Sequence, residues 1–127
     1  MIYTGYYACL NKYIDAGLVP ISIAGKAPKF YCGYEYKALA PKYDFFIRWK
    51  QGEIDNFKYV ELYNKEVLSK LDAIDVCIDL YNMSNGNAVV LLCYEKPGDF
   101  CHRHIVADWL EKHGEHVEEF VVDKNVK

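Results

Sequence analysis

The sequence holds no internal repeat, no low-complexity tract and no Gly/Ser- or Pro-rich linker, so its 127 residues read as one ordinary domain. No apolar run approaches the ~20 residues that a membrane-spanning helix needs. No basic segment followed by an apolar core opens the chain, so no secretory signal is expected. The five cysteines (Cys9, Cys32, Cys77, Cys93 and Cys101) are odd in number and lack the spacing of a disulfide framework. A disulfide scaffold is therefore not expected, and reduced thiols in the cytoplasm are. A large excess of one charge is also missing: the net charge of −3 argues against a generic binder of polyanions.

What is present fits a globular domain. Hydrophobic residues make up 52% and charged residues 26%, and the 12 tyrosines are numerous for this length. The charge is uneven. Residues 26–50 carry Lys26, Lys29, Lys37, Lys42, Arg48 and Lys50 against only Glu35 and Asp44, so this stretch is basic and the remainder acidic. The same stretch interleaves Phe30, Tyr31, Tyr34, Tyr36, Tyr43, Phe45, Phe46 and Trp49 with its lysines. Bases stack on aromatic rings while lysines meet phosphates, so this composition suits a nucleotide or a single-stranded nucleic acid. The competing reading is an aromatic flap packed on the domain with its lysines in solvent, or a homodimer surface.

Hydrophobic periodicity gives a coarse architecture. Ile2 to Tyr7 and Val19 to Ile23 are predicted strands, the second with Pro20 near its start, where a missing N–H costs least. Residues 26–50 show no clean period and are predicted to be a long loop or flap, with a short helix possible over 34–39. Ile54, Phe57, Val60, Tyr63, Val67, Leu68 and Leu71 recur at helical steps. Asp72 is placed to cap a following helix with Ile74, Cys77, Ile78 and Tyr81 on one face. Ala88 to Tyr94 is a continuous apolar run, the pattern of a strand covered on both faces in a parallel sheet. A helix from about Phe100 to His113, capped by Asp99 and stopped by Gly114, and a short strand over 117–122 complete the chain. Strands alternating with helices predict a single-domain, three-layer α/β sandwich with a mostly parallel sheet.

In such sheets ligands bind where strands end and helices begin. Glu95 to Arg103 occupies that place, and a helix N-terminus there offers free N–H groups and a positive dipole end to an anion. Ile105, Val106, Trp109 and Leu110 define the helix's buried face. At ~100° per residue His102 falls near the centre of that face, with Cys101 and Arg103 on its flanks and His104 directed to solvent.

The run Leu91-Leu92-Cys93-Tyr94-Glu95-Lys96 followed by Cys101-His102-Arg103 resembles the signature of domain-of-unknown-function family 488. That signature is an apolar strand ending in Cys-x-Glu, a short loop, and Cys-His-Arg opening a helix. The likeness extends more weakly to Ile21-Ser22-Ile23, the Pro28 segment and Leu39-Ala40-Pro41. Cys93, Glu95, Cys101, His102 and Arg103 match the motif position by position. Where family members often carry an arginine after the second strand, this sequence has Lys26 and Lys29. The resemblance implies a fold and a site; it implies no reaction.

The site residues then take expected roles. Arg103 and the helix terminus would clamp an anion, with Lys26 or Lys29 assisting. His102, oriented by Glu95, would move protons. Cys101 would serve as a nucleophile or redox thiol, and Cys93, inside an apolar strand, would pack beside the ligand. Each has a plainer alternative as a packed or solvated residue. Zinc on Cys93, Cys101, His102 and His104 is set aside, because the spacing matches no standard site and His104 points away from His102. No cofactor is named. The leading expectation is a phosphorylated or nucleotide-like ligand, bound by an enzyme or an enzyme-like domain. The alternative is a non-catalytic nucleic-acid-binding or regulatory module, with a third use as an interaction protein.

Overall fold

The computed structural model describes residues 1–122, and the last five residues of the chain lie outside them. Strands β1 (Ile2–Tyr6), β2 (Val19–Ser22), β3 (Tyr34–Glu35), β4 (Val89–Cys93) and β5 (Val117–Glu119) form one sheet in the order β3-β2-β4-β1-β5. Every pairing in it is parallel, so this is an α/β fold. The α-helices among the described residues are α1 (Leu10–Asp15), α2 (Tyr43–Lys50), α3 (Asn56–Glu66), α4 (Ala73–Met83) and α5 (His102–Lys112).

The apolar run at 89–93 explains the sheet's centre. All five β4 residues are buried between β1 and β2, with Leu91 opposite both Thr4 and Ile21. Alternation then sorts its side chains. Val89 and Leu91 enter the larger core with Ile21, Tyr63, Leu80, Val106 and Leu110. Val90 and Leu92 enter a smaller core with Tyr7, Tyr13, Leu18 and Tyr31. Helices α2 to α5 contribute to the first core and only the six-residue α1 to the second, so the two outer layers are unequal.

The second face is closed by tyrosines more than by helix. Tyr13 is fully buried, and its hydroxyl accepts a hydrogen bond from the Tyr6 N–H at 3.1 Å. Its ring lies where a Cβ on Gly5 would stand, 2.5 Å from the hydroxyl carbon and oxygen. Gly5 is therefore required by close approach. Gly5→Ala should cost about 1–3 kcal/mol by overpacking, read from a denaturant melt, and Tyr13→Leu should relieve most of that loss.

Four expectations need correction. Residues 26–50 are a loop only in part: 26–33 carry no helix or strand, but the rest is not an unstructured flap. They contain β3, a 3-10 turn at Lys37–Leu39, and α2, whose Phe45 is buried in the main core. The sequence hid this because the helix is short and its stretch mixes core and surface aromatics. Helix α5 begins at His102 with Cys101 in the N-cap position, not at Phe100 with Asp99 as cap. In α4 the Asp72 cap is present, accepting from the N–H groups of Ile74 and Asp75. The buried stripe there is Ala73, Val76 and Leu80, while Ile74, Ile78 and Tyr81 are exposed. Both stripes are apolar, so periodicity alone could not say which one meets the sheet. Phe57 in α3 is likewise exposed, and Tyr59 and Tyr63 are buried in its place. Gly114, at φ +92°, does end α5 as its position suggested.

Among the described residues, no helix is long and apolar enough to cross a membrane.

Candidate functional site

A cleft of about 690 Å³ opens at the C-terminal ends of β2 and β4. Strand β2 leads into it through Ala24, Gly25 and Lys26, and β4 through Cys93, Tyr94 and Glu95. Phe100, Cys101 and His102 at the start of α5 form its floor. The opposite wall comes from the basic, aromatic segment 26–50: Lys37, Tyr43, Phe46, Trp49 and Lys50, with Tyr59 of α3 beside them. The volume is that of a small-molecule site. The cleft lies at strand ends, where parallel sheets commonly hold ligands.

His102 is buried beneath α5, with Nε2 2.7 Å from the Ile23 carbonyl oxygen. A carbonyl only accepts, so Nε2 carries the proton. Burial pushes the imidazole down to about 4; the Ile23 bond opposes that shift and the charge of Arg103 adds to it. The ring is therefore neutral near pH 7, and Nδ1 keeps a bare lone pair. That lone pair lies 3.9 Å from Cys101 Sγ. The expected orientation of His102 by Glu95 is thus corrected: the Ile23 carbonyl orients it. Glu95 lines the cleft with its carboxylate 3.7 Å from Lys50 Nζ.

Arg103 does not line the cleft. Its side chain is completely buried, and four of its five N–H donors are taken. Nε and Nη2 hold the two Glu119 oxygens at 3.1 and 2.9 Å. Nη1 donates to the Glu95 carbonyl at 2.6 Å and to Cys93 Sγ at 3.1 Å. Burial acts to raise the Glu119 pKa, but hydrogen bonds from Arg103 and Thr4 outweigh it and hold the carboxyl below its usual range. The structure thus places Arg103 as a brace tying α5 to the ends of β4 and β5, away from any anion in the cleft. Helical periodicity had put it on the flank of the buried face; the partner that draws it fully inward, Glu119, is 16 residues away.

Cys93 and Cys101 are joined by a disulfide that ties the end of β4 to the residue before α5. The expectation of unpaired thiols is corrected for this pair, and the nucleophilic thiol assigned to Cys101 exists only after reduction. Their eight-residue separation in sequence carried no framework signal; the strand–loop–helix turn brings them together. Cys9, Cys32 and Cys77 are free. The donor atoms of Cys93, Cys101 and His102 all lie within 4.8 Å of one another, and His104 is outside that group.

Of the auxiliary lysines, Lys26 lines the cleft and Lys29 does not. Lys37 and Lys50 were not singled out from the sequence. Their signal was the basic and aromatic bias of 26–50, which could not say which lysines face inward. Lys37 also pairs with Glu35 at 3.1 Å, and the Lys50 ammonium stands 5.4 Å from the centre of the Trp49 ring.

A parallel α/β domain with a strand-end cleft over a Cys-His-Arg helix start is the class that fold and site together define. The chain belongs to the DUF488 family: the family model described as "DUF488-N3a: Active DUF488-N3 subclade" matches residues 21–114. The match runs from within β2 to just past α5 and includes every cleft residue named above. No curated protein and no solved structure matches the chain.

Proposed function

We propose that the cleft binds a phosphorylated or nucleotide-like ligand, with Lys26, Lys37 and Lys50 meeting the anion. The observation that carries this reading is the convergence of three lysines and an aromatic wall on one strand-end cleft. Tyr43, Phe46, Trp49 and Phe100 offer ring faces or edges to a base, and the lysines offer point charges to a phosphate. The amide groups at the start of α5 add donors on the floor. Arg103 contributes by fixing that floor.

The reading extends to catalysis through His102. Its neutral ring presents the Nδ1 lone pair beside the cleft, which suits a general base working near neutral pH. Glu95, paired loosely with Lys50, is the second acid–base group on the wall.

A thermal-shift panel of nucleoside mono- and diphosphates, inorganic phosphate and sulfate tests the binding. A ligand at 100 times its dissociation constant stabilises the folded state by about 2.7 kcal/mol, which is several degrees for this length. The shift should shrink in Lys26→Ala and Lys50→Ala and should fall as salt rises. No shift with any of these anions would end the reading.

A second reading rests on a different observation. Phe30, Tyr34 and Tyr43 are exposed by 63%, 53% and 73% on the same basic segment. Rings so exposed between lysines suit a single-stranded oligonucleotide tracking outward from the cleft. Salt-dependent oligonucleotide binding that survives His102→Gln and is lost in Phe30→Ala/Tyr34→Ala would favour this module over the enzyme.

A further inference from the structure

We propose that, once the Cys93–Cys101 disulfide is reduced, Cys93, Cys101 and His102 form a site for a thiophilic divalent metal ion of the zinc class on the cleft floor. Three independent features converge there. The donor atoms are soft or borderline and lie within 4.8 Å of one another, all on buried residues. The imidazole is already set for the task. Its Nε2–H is held 2.7 Å from the Ile23 carbonyl, so Nδ1 is the free lone pair, the outer-shell bond that metal-bound histidines commonly make. Arg103 Nη1 stands 3.1 Å from Cys93 Sγ, a fixed positive charge beside a sulfur that must become a thiolate to bind metal.

The spacing is close to what coordination requires. With metal–sulfur bonds of ~2.3 Å and metal–nitrogen bonds of ~2.0–2.1 Å, tetrahedral angles put sulfur and nitrogen roughly 3.5 Å apart. Cys101 Sγ and His102 Nδ1 are now 3.9 Å apart. Only the two sulfurs must separate from their bond, and reduction does this. The disulfide accepts two electrons and two protons from a dithiol reductant, which itself becomes a disulfide, and the S–S bond is replaced by two thiols. The metal ion then displaces both thiol protons. These three side chains leave a fourth position facing the cleft, the arrangement of a metal site open to a water or a ligand. Oxidation to the disulfide would remove both sulfur ligands at once. The site would therefore hold metal only in the reduced state. The inference does not rest on the anion reading above, and its test contains no nucleotide.

The test uses the full chain with Cys9, Cys32 and Cys77 changed to serine, so that only the cleft sulfurs remain. The protein is reduced with a dithiol, loaded with zinc or cobalt(II), and freed of excess metal and reductant. We expect one equivalent of metal per chain, a thiolate-to-cobalt charge-transfer band, and release of the metal on mild oxidation. Cys101→Ser and His102→Gln should lose the bound equivalent while keeping the far-ultraviolet circular dichroism of the parent. Failure of the reduced parent to retain metal, or a cobalt spectrum without the thiolate band, would overturn the proposal. So would full retention by Cys101→Ser. The parent protein's own spectrum decides the matter even if a variant does not fold.

Discussion

Arg103→Ala is expected to destabilise the protein by about 3–5 kcal/mol, lowering the melting temperature by roughly 10–20 °C. The size follows from what the substitution leaves behind. The guanidinium is fully buried and accounts for two hydrogen bonds to Glu119, one to the Glu95 carbonyl and one to Cys93 Sγ. Removing it strands a half-buried carboxylate and a carbonyl without their donor. Arg103→Lys recovers little, because one ammonium cannot serve partners arranged around a planar fork. Adding Glu119→Gln to Arg103→Ala should restore part of the loss by discharging the stranded carboxylate. A thermal melt of the four proteins checks all of this. A loss under 1 kcal/mol would mean the guanidinium is solvated and available to a ligand, returning Arg103 to the role of anion clamp.

The second large effect is a loss of stability in mild acid that belongs to His102. The folded imidazole protonates only near pH 4, because burial disfavours its charged form. An unfolded histidine protonates near pH 6.5. The stability gained by keeping the ring neutral is complete above that pH and is lost as the pH falls towards 4. Linkage gives a loss of about 2 kcal/mol between pH 7 and pH 5. His102→Gln can still donate to the Ile23 carbonyl through its amide and has no proton to gain. Its stability, though lower at pH 7, should fall less over this window, the remaining slope coming from His104, whose imidazole burial also pushes down. Glu119, held below its usual carboxylate range, contributes its own loss at lower pH, so the two windows separate. Urea melts at pH 7, 6 and 5 on both proteins provide the comparison. Equal slopes for wild type and His102→Gln would show that the ring is not held neutral by burial.

The parts of the protein visible in the sequence are those where one physical signal dominates. The unbroken apolar run of β4 reads as a strand covered on both faces, and the cleft opens where that strand ends. His102 was placed inward by counting turns from Val106 and Leu110, and it is buried with them. The parts that stayed hidden depend on partners distant in sequence. Arg103 would have been an acceptable surface clamp without Glu119 arriving on β5. Glu95 is the nearer partner for His102 in sequence, but the Ile23 carbonyl arrives from the end of the neighbouring strand β2. The lysines that face the cleft could not be separated from those that face water until α2 was known to be a helix with Phe45 as its anchor. In α4 two apolar stripes competed, and only docking on the sheet selected Val76 and Leu80 over Ile78 and Tyr81.

The central claim is that an anionic, ring-bearing ligand enters the strand-end cleft. Titrating a nucleoside monophosphate into the isotopically labelled protein and following backbone amide resonances tests it most directly. The account predicts saturable shifts at 24–26, 94–95 and 101–102, with shifts on the Trp49 indole N–H and none on the exposed α4 stripe of Ile74, Ile78 and Tyr81. Shifts that never saturate, or that fall on α4 and spare these three segments, would contradict it.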